Sequence, residues 1–422
     1  MWREEVTIDD VTEKVVGGGT PPRNNAENWN GPMPWATVKD FSNSYYFLND
    51  TQEYITDDGL RNSAANLIPA GIPIVVTRMA VGSCKVSAMP VSINQDLKAL
   101  FPDENEIISN YLAWSIIFRK DDLDKVAIGS TVKGISIKDL KKLKIFRPIP
   151  DDQSHICEIL FSIDNTIEKT EELIAKYEQI KQGMMYDLFT RGVDENGKLR
   201  PSYQDAPELY QDTEIGFIPK DWDISSLDEI SSIRRGASPR PIDDPAYFAE
   251  TGRGWIRISD VTHTYKYLTQ TTQYLSDLGA SLSVPVNPGD LIMSICATIG
   301  RPVLLAMEAC IHDGFVLFGG IDEEEIDKEY LFYFLLKNEQ EISKNKQIGT
   351  QGNLNTDIVK SIVFPKPSKE EQTIVAQRLR AIDTLIQVEQ KTLAKLIKQK
   401  AGLMQDLLTG KVSVNIEQRD AA

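Results

Sequence analysis

The sequence has few of the residues that build metal centres and redox sites. Its 422 residues include four cysteines and three histidines. No two cysteines form a C-x-x-C pair and the histidines lie far apart, so neither a zinc cluster nor a disulfide framework is encoded. The apolar run at 68–76 is far shorter than the roughly 20 residues of a membrane span, and the N-terminus is charged from residue 3. We therefore expect a cytoplasmic protein without a membrane segment.

Positive charge is scarce as well. The chain carries 46 Lys and Arg against 62 Asp and Glu, which gives a net charge of -16 and an isoelectric point near 4.8. This balance excludes a histone-like protein that holds nucleic acid by bulk charge, so any nucleic-acid binding must use local patches. At roughly 100–200 residues per domain, the length predicts two or three domains.

The motifs of cofactor and nuclease chemistry are also missing. The Gly-Lys pairs at 197–198 and 410–411 lack the spacing of a phosphate-binding loop, and no G-x-G-x-x-G follows a strand. The tetrapeptide at 244–247 lacks the second proline of an amino-methyltransferase loop. The D-x-K strings at Asp96 and Asp139 have no partner acid for a nuclease magnesium ion. The sequence therefore predicts a chain without catalytic activity of its own.

The sequence does contain an internal duplication. A shift of 219 residues aligns identical residues in two long segments, and shifts of 218 to 220 align the regions that precede them. Because the period is half of the chain, each half is one variable globular unit followed by one better-preserved segment. The identical pairs include Gln153/Gln372, Asp164/Asp383, Gly183/Gly402, Met185/Met404, Asp187/Asp406, Leu188/Leu407 and Thr190/Thr409.

Each better-preserved segment has the apolar pattern of a coiled-coil helix. Its apolar positions step by four and three residues, as a heptad repeat does. Polar residues interrupt the pattern at equivalent places, at Thr170 and Lys181 in one segment and at Glu389 and Lys400 in the other. A seam about 55 Å long requires a partner, although a surface helix packed on its own domain is the alternative. The predicted seam residues are Ile156, Leu160, Ile163, Ile167, Ile174, Tyr177, Met184, Leu188, Val375, Leu379, Ile382, Ile386, Leu393, Leu396, Leu403 and Leu407.

The two helical segments carry opposite net charge. Segment 151–192 has nine acidic and four basic residues, whereas segment 369–411 has five acidic and eight basic residues. Electrostatics therefore favours pairing of the two segments over pairing of either with its own copy. The predicted organisation is a globular domain at 1–150, a helix at 151–192, a linker at 193–218, a second globular domain at 219–368, a second helix at 369–411 and a tail at 412–422.

Both globular units have the pattern of mixed α/β structure. Strand-like apolar runs lie at 72–77 and 290–295 among Gly and Pro turns. Amphipathic helices are expected at 107–118 and 328–336.

The remaining signal is one of recognition, because basic and small polar residues occupy comparable loops beside aromatic residues in both halves. Arginine side chains can bind guanine or phosphate, and asparagine or glutamine can read adenine. The candidate DNA-binding residues are Thr20, Arg23, Lys39, Arg78, Ser130, Thr131 and Lys133 in the first unit, and Arg235, Ser238, Arg240, Arg257, Arg301, Thr350, Gln351, Asn353 and Asn355 in the second.

Taken together, these motifs resemble the specificity subunits of type I restriction–modification systems over essentially the whole chain. The combination is specific: a Pro-to-Gln spacing, an aspartate, and a Met-x-Asp-Leu-x-Thr ending occur in each helical segment. The sequence at 212–222, which leads into the second domain, is also typical. The two halves differ in detail, because the Gly-Asn-x-Asn string at 352–355 has no counterpart at 133–136.

The resemblance implies an α+β fold with two target-recognition domains, each followed by a long helix, and an antiparallel coiled coil with pseudo-twofold symmetry. It also implies that each domain reads one half of a split target in double-stranded DNA, and that the helices set the gap. Two modification subunits would dock on this scaffold and bind S-adenosylmethionine, and restriction subunits would join them. The chain itself would bind no cofactor and no metal.

Two other functions stay open at the level of sequence. One is a coiled-coil adaptor that does not bind DNA and carries two protein-binding domains. The other is a fused methyltransferase, against which the missing cofactor motif argues.

Overall fold

The computed structural model describes residues 4–42, 45–129, 131–344 and 354–414. The chain divides into two compact units, one formed by 1–173 together with the chain from residue 389, and the other by 174–388. Each unit therefore contains one globular domain and a part of each of two long helices. No helix within the described ranges has both the length and the apolar composition needed to cross a membrane.

The first domain combines small sheets with short helices and leads into the first long helix. Its sheets have the strand orders β2-β10-β7-β8-β4 and β5-β3-β9-β6, and β1 pairs with β11. The strands are β1 (Glu4–Thr7), β2 (Thr12–Gly17), β3 (Trp29–Ala36), β4 (Phe47–Leu48), β5 (Glu53–Ile55), β6 (Asn66–Ile68), β7 (Pro73–Val76), β8 (Cys84–Ser87), β9 (Val91–Ile93), β10 (Leu97–Pro102) and β11 (Lys144–Arg147). The helices are α1 (Asp57–Arg61), α2 (Ser109–Phe118), α3 (Lys120–Val126), α4 (Ile137–Lys141) and α5 (Pro150–Thr190), with 3-10 turns at Ile8–Val11, Ala26–Asn28 and Val38–Phe41.

The second domain has the same construction and leads into the second long helix. Its strands are β12 (Tyr210–Thr213), β13 (Gly216–Pro219), β14 (Asp223–Ser226), β15 (Ser232–Arg235), β16 (Phe248–Ala249), β17 (Arg253–Ile256), β18 (Tyr267–Leu268), β19 (Tyr274–Leu275), β20 (Val284–Val286), β21 (Leu291–Ser294), β22 (Pro302–Leu305), β23 (Ala309–Ile311), β24 (Phe315–Gly319) and β25 (Val363–Lys366). The helices are α6 (Leu227–Ile230), α7 (Ile258–Thr262), α8 (Asp277–Ser281), α9 (Lys328–Lys337), α10 (Glu339–Lys344), α11 (Thr356–Lys360) and α12 (Lys369–Leu407), with 3-10 turns at Pro207–Leu209 and Pro245–Tyr247.

The duplication read from the sequence is visible in the strand order. The sheets β15-β24-β21-β22-β18 and β16-β19-β17-β23-β20 repeat the order of the first domain, with β16 added at one edge. The central pairs β3–β9 and β17–β23 are parallel in both domains. The predicted strands at 72–77 and 290–295 are confirmed as β7 and β21, whose residues are all buried.

The predicted helices at 107–118 and 328–336 are confirmed as α2 and α9, but their amphipathic character is wrong. Residues 111–116 and 330–335 are buried without interruption. Helix α2 contacts β7, β8, β10 and β11, so its domain encloses it on several sides. Each helix also places a buried tyrosine hydroxyl on a strand that precedes a long helix: Tyr111 donates to the Phe146 carbonyl at 2.9 Å, and Tyr330 to the Pro365 carbonyl at 2.8 Å.

The segment at 193–218, expected as a linker, folds onto the start of α12. It contains β12 and the first part of β13, which pair antiparallel. The buried Glu371 carboxylate accepts from the Val193 amide at 2.7 Å, the Trp222 indole at 3.0 Å and the Arg200 guanidinium at 2.5 and 3.0 Å. This network explains why a polar segment is ordered here.

The two long helices form the predicted seam. Both begin with acidic residues in the first turn, which suits the positive end of a helix dipole. All sixteen predicted seam residues are buried or half-buried. In one unit Ile156 and Leu160 share a core with Leu403 and Leu407, and in the other Leu188 shares a core with the start of α12. Since the start of each helix meets the end of the other, the helices pair antiparallel, and the predicted fold class is confirmed.

A repeated glutamine anchors the start of each long helix to its globular domain. The buried Gln153 side chain donates to the carbonyls of Glu106 at 3.0 Å and Pro148 at 2.9 Å, and it accepts from the Ile108 amide at 2.9 Å. Gln372 makes the equivalent three bonds, to Glu325 at 3.1 Å, Pro367 at 2.9 Å and Asp327 at 2.9 Å. This contact is the physical reason why the two glutamines occupy matching places in the repeat.

Candidate nucleic-acid interface

In the first domain, the predicted residue Thr20 lies in the loop after β2, opposite the loop that joins β9 to β10. Both Thr20 and Gln95 are exposed, and the Thr20 hydroxyl donates to the Gln95 side-chain oxygen at 2.6 Å. The Gln95 amide group lies 3.4 Å from the Asp96 carboxylate. The buried Trp35 indole donates to the Gly19 carbonyl at 3.0 Å and supports the same loop from below.

Arg23 and Lys39 both lie close to Glu53. The Arg23 guanidinium forms a two-pronged ion pair with the Glu53 carboxylate, in which one contact is 2.9 Å, and it stacks 4.0 Å from the centre of the Trp29 ring. The hydrogen bond from Arg23, with the added charge of Lys39, holds the pKa of Glu53 below its usual value. An arginine fixed in this way presents its remaining N–H groups in a set direction.

Arg78 lies beside the loop that contains Gln95 and Asp96. Its guanidinium lies 3.5 Å from the Asp96 carboxylate, and its backbone forms a bridge with Gly134. The Lys133 carbonyl accepts from the Met79 amide at 2.9 Å, and the exposed Lys133 side chain lies 3.8 Å from Asp124. The structure thus brings together the loops of Thr20, Arg78 and Lys133. Thr131 is exposed in the 133 loop, and Ser130 lies outside the described residues.

In the second domain, Arg235, Ser238 and Arg240 gather around Asp313. The Ser238 hydroxyl donates to the Asp313 carboxylate at 2.8 Å, and Arg240 donates to it at 3.0 Å. The Arg235 side chain donates to the Asp313 backbone carbonyl at 2.8 Å. Burial would raise the pKa of Asp313, but the Ser238 hydrogen bond and the charges of His312, Arg240 and Arg235 hold it below its usual value.

The other predicted residues of the second domain have different surroundings. Arg257 donates to the Gln273 side chain at 3.1 Å and lies near His312, whose pKa is lowered by burial and, to a smaller extent, by Arg257. Arg301 pairs with Glu339 of α10 at 3.1 Å, and among the described residues no contact joins it to the Asp313 group. Asn355 is exposed and caps α11 by accepting from the Asp357 amide at 3.2 Å. Thr350, Gln351 and Asn353 lie outside the described residues.

Gln95 and Asp313 were not among the predicted site residues. Both lie in a loop that joins a strand of one sheet to a strand of the other, β9 to β10 in the first domain and β23 to β24 in the second, and a shift of 218 relates them. That alignment was readable in the sequence, but the residue types differ, so only the contacts of Thr20 and Ser238 reveal the equivalence.

His312 makes the second domain sensitive to acid. Its Nδ1 atom accepts from the Gly314 amide at 2.6 Å, and burial lowers its pKa from the usual value, with Arg257 adding to the effect. Below about pH 6.5 His312 is therefore protonated in the unfolded chain while it stays neutral in the folded domain. As the pH falls through this range, the free energy of unfolding decreases by up to about 1.4 kcal/mol per pH unit.

We expect His312→Asn to reduce this loss between about pH 7 and pH 5, as measured by denaturant unfolding at several pH values. Asparagine keeps a hydrogen-bond acceptor at this place. Asn94 is the equivalent residue of the first domain, and its side chain accepts from the Asp96 amide at 3.0 Å. The exposed His263→Asn is the control and should leave the pH dependence unchanged. Equal pH dependence in the parent and in His312→Asn would contradict the expectation.

The two lysines that interrupt the apolar seam, Lys181 and Lys400, each form an ion pair with an aspartate of the other repeat. Lys181 lies 2.9 Å from the Asp383 carboxylate, which also accepts from the hydroxyls of Tyr265 at 2.6 Å and Tyr333 at 2.5 Å. In the other unit, Lys400 pairs with Asp164 and lies 4.9 Å from the centre of the Trp114 ring. A shift of 219 relates the two pairs.

The site and the fold define a class: a duplicated recognition scaffold, in which two copies of one domain present polar and basic loops and are joined by a pair of antiparallel helices. The sequence profile of the "Type I restriction modification DNA specificity domain" matches residues 2–181 and 219–398. The chain therefore belongs to the family of type I restriction–modification specificity subunits and carries the family's domain twice.

Individual relatives agree with this assignment. The type I restriction enzyme MjaVIII specificity subunit of Methanocaldococcus jannaschii is 29% identical over 323 residues, which cover 74% of this chain and 72% of the relative. A type I restriction enzyme specificity subunit of Escherichia coli is 34% identical over 176 residues, covering 40% and 43%. The adaptor alternative finds no support among these relatives.

Solved structures share the fold. The S subunit of a type I restriction–modification system from M. genitalium has a TM-score of 0.61 at 15% identity, covering 96% of both chains. A chain from a study of complex assembly and conformational transition of the type I system has a TM-score of 0.58 at 15% identity and covers 97% of this chain and 98% of that one.

Proposed function

We propose that this chain gives a type I restriction–modification complex its DNA sequence specificity, with each globular domain reading one half of a bipartite duplex target. One observation carries the proposal: both domains build the same pair of loops and place polar and basic side chains on them. Thr20 and Ser238 occupy equivalent places, with Arg78 beside the first and Arg235 and Arg240 beside the second. Side chains of this chemistry read base edges and hold phosphates.

The two helices would set the gap between the half-targets and bind the modification subunits. Helices α5 and α12 run without a break for 41 and 39 residues, which corresponds to about 60 Å each. Large apolar side chains remain exposed along them, including Tyr186 at 65%, Leu385 at 46% and Ile397 at 50%. Exposed apolar groups of this kind support a docking role for the helices.

The chemistry of the complex would belong to its other subunits. Two modification subunits would bind S-adenosylmethionine and methylate adenines, and restriction subunits would translocate and cleave DNA. This chain would contribute recognition alone, in the cytoplasm where that DNA lies. Its net charge of -16 is compatible with this role, because only the loops that face the duplex need to be basic.

The experiment that tests the proposal measures binding of the full chain to a library of duplexes with two randomised half-sites and a variable gap. We expect selection of one bipartite sequence, with affinity that falls linearly on a logarithmic salt scale because phosphate contacts release counterions. An adaptor would select no sequence and would show no such salt dependence.

A second measurement addresses catalysis. With labelled S-adenosylmethionine and the selected duplex, we expect no label transfer by the chain alone. Stoichiometric transfer without added subunits would contradict the assignment of chemistry to partners.

A further inference from the structure

Two loops meet in the same way in both domains. In the first domain, the Gly19 amide of the loop after β2 donates to the Ile93 carbonyl at the end of β9, at 3.0 Å. In the second domain, the Ala237 amide of the loop after β15 donates to the Ile311 carbonyl at the end of β23, at 3.1 Å. Donors and acceptors are both related by a shift of 218, so the two contacts are equivalent.

A glycine one residue earlier sets how closely the loops approach. A Cβ atom on Gly18 would lie 1.8 Å from the Ile93 carbonyl oxygen, and one on Gly236 would lie 2.1 Å from the His312 carbonyl oxygen. Both distances are far below any tolerated contact, so only glycine fits. The residue two positions further along each loop therefore has a fixed place against the neighbouring loop.

The residue at that place carries a side-chain hydroxyl in both domains, but the side chain that accepts its hydrogen bond differs between them. The Thr20 hydroxyl donates to the side-chain oxygen of Gln95, and the Ser238 hydroxyl donates to the carboxylate of Asp313. The glycine, the backbone contact between the loops and the hydroxyl are thus common to both domains. The group that the hydroxyl binds is an amide in the first domain and a carboxylate in the second.

The Gln95 amide and the Asp313 carboxylate suit different bases. An amide offers one donor and one acceptor side by side, which matches N7 and N6 of adenine in the major groove. The Gln95 oxygen has a second lone pair besides the one that Thr20 uses, and within the described part of the chain the Gln95 NH2 group makes one long contact, 3.4 Å to Asp96.

The carboxylate acts through an arginine instead. Asp313 receives one N–H group of Arg240, whose side chain is 68% exposed and keeps its other N–H donors available. An arginine held by a carboxylate presents a fixed fork, which matches O6 and N7 of guanine.

We propose that positions 95 and 313 are the equivalent specificity-determining positions of the two domains: the Gln95 amide reads an adenine in one half-target, and Asp313 holds Arg240 so that it reads a guanine in the other. Thr20 and Ser238 are positioning residues that fix these groups. The inference rests on the proposed function, since it assigns bases within the bipartite target.

The test uses the full chain and the randomised bipartite duplex library, with sequencing of the bound fraction. We expect Gln95→Glu to lower the preference for adenine at one position of one half-site by about 5- to 150-fold, the discrimination of one bidentate contact. Arg240→Gln should lower the preference for guanine at one position of the other half-site by a similar factor. Each variant should leave the opposite half-site unchanged. Gln179→Glu and Arg380→Gln, on exposed parts of α5 and α12, are the matched charge controls.

Two further variants separate positioning from folding. Thr20→Ser keeps the hydroxyl and should retain the adenine preference, whereas Thr20→Val should relax it at the same position. Pro22 is exposed and occupies the place of Arg240 in the repeat. The double variant Pro22→Arg with Gln95→Asp therefore transfers the arrangement of the second domain to the first, and we expect adenine to be replaced by guanine at that position.

The outcomes distinguish this inference from the proposed function. If the parent chain selects no bipartite sequence, the proposed function fails. If the parent selects a target but the Gln95 and Arg240 variants change no base preference, the inference alone fails. Uniform weakening on all sequences with a smaller salt slope would also overturn it, because that behaviour identifies phosphate contacts.

Discussion

A subunit lengthened by one heptad in both long helices is expected to select the same two half-sites with a wider gap between them. The insertions belong after Thr170 and after Glu389, which are equivalent positions of the seam. Seven residues keep the apolar face in phase and add about 10 Å, close to three base pairs of 3.4 Å. Three base pairs also turn one half-site by roughly 100° about the DNA axis, so we expect weaker binding than that of the parent on its own target.

The two lysine–aspartate ion pairs explain why both helices must change together. Asp164 and Lys181 are 17 residues apart in α5, and their partners Lys400 and Asp383 are 17 residues apart in α12. An insertion in α5 alone makes the spacings unequal, so both pairs cannot form at once. The single insertion is therefore the control, and we expect it to lower thermal stability. Selection of the parent gap by the doubly lengthened chain would show that the helices do not set the spacing.

Removing the charge of Lys181 is expected to cost about 3–5 kcal/mol of unfolding free energy, since one partner of a buried ion pair is lost. Lys181→Met leaves the Asp383 carboxylate, which is 4% exposed, without its paired cation; among the described residues, its remaining hydrogen-bond donors are the hydroxyls of Tyr265 and Tyr333. Burial, with Asp383 adding to the effect, raises the pKa of Tyr265, and those hydroxyls stay protonated and cannot supply positive charge. Denaturant unfolding of the full chain measures the loss.

Three further variants identify the cause. Lys176→Met removes an exposed lysine from the same helix and should change the stability by less than about 0.5 kcal/mol. Asp383→Asn combined with Lys181→Met removes both charges but keeps an oxygen for the tyrosines, so it should recover most of the loss. Lys400→Met should have a smaller effect in the other unit, because the side chains of Lys400 and Asp164 are 22% and 17% exposed. Equal stabilities for Lys181→Met and Lys176→Met would contradict the account.

Long-period features of the fold were predictable from the sequence. The 219-residue shift identified the duplication, and the heptad spacing predicted sixteen seam residues that are all buried or half-buried, because helix periodicity and burial follow from the order of apolar residues. The helices α2 and α9 were also predicted, but not their complete burial. An apolar face predicts contact with one neighbour, whereas these helices are enclosed by elements that come from distant parts of the chain.

The candidate site was harder to predict from the sequence. Thr20 and Ser238 were predicted from composition and position, yet their partners Gln95 and Asp313 were not, because the pairing joins loops 75 residues apart in both domains. Likewise, Lys181 and Lys400 read as interruptions of the seam until the antiparallel pairing placed an aspartate opposite each. Contacts of this kind depend on topology, which no local pattern contains.

The repeat-equivalent contacts of the helix pair make the two halves of the chain interchangeable modules. The glutamine anchors and the lysine–aspartate pairs use the same residue types at the same repeat positions, so either half supplies what the other requires. A genetic crossover near the end of α5, for instance at Gly183, would join a new globular domain to an unchanged partner half and leave these contacts intact. Shuffling of halves then multiplies the available pairs of half-targets, whereas the distance between them is inherited with the helices.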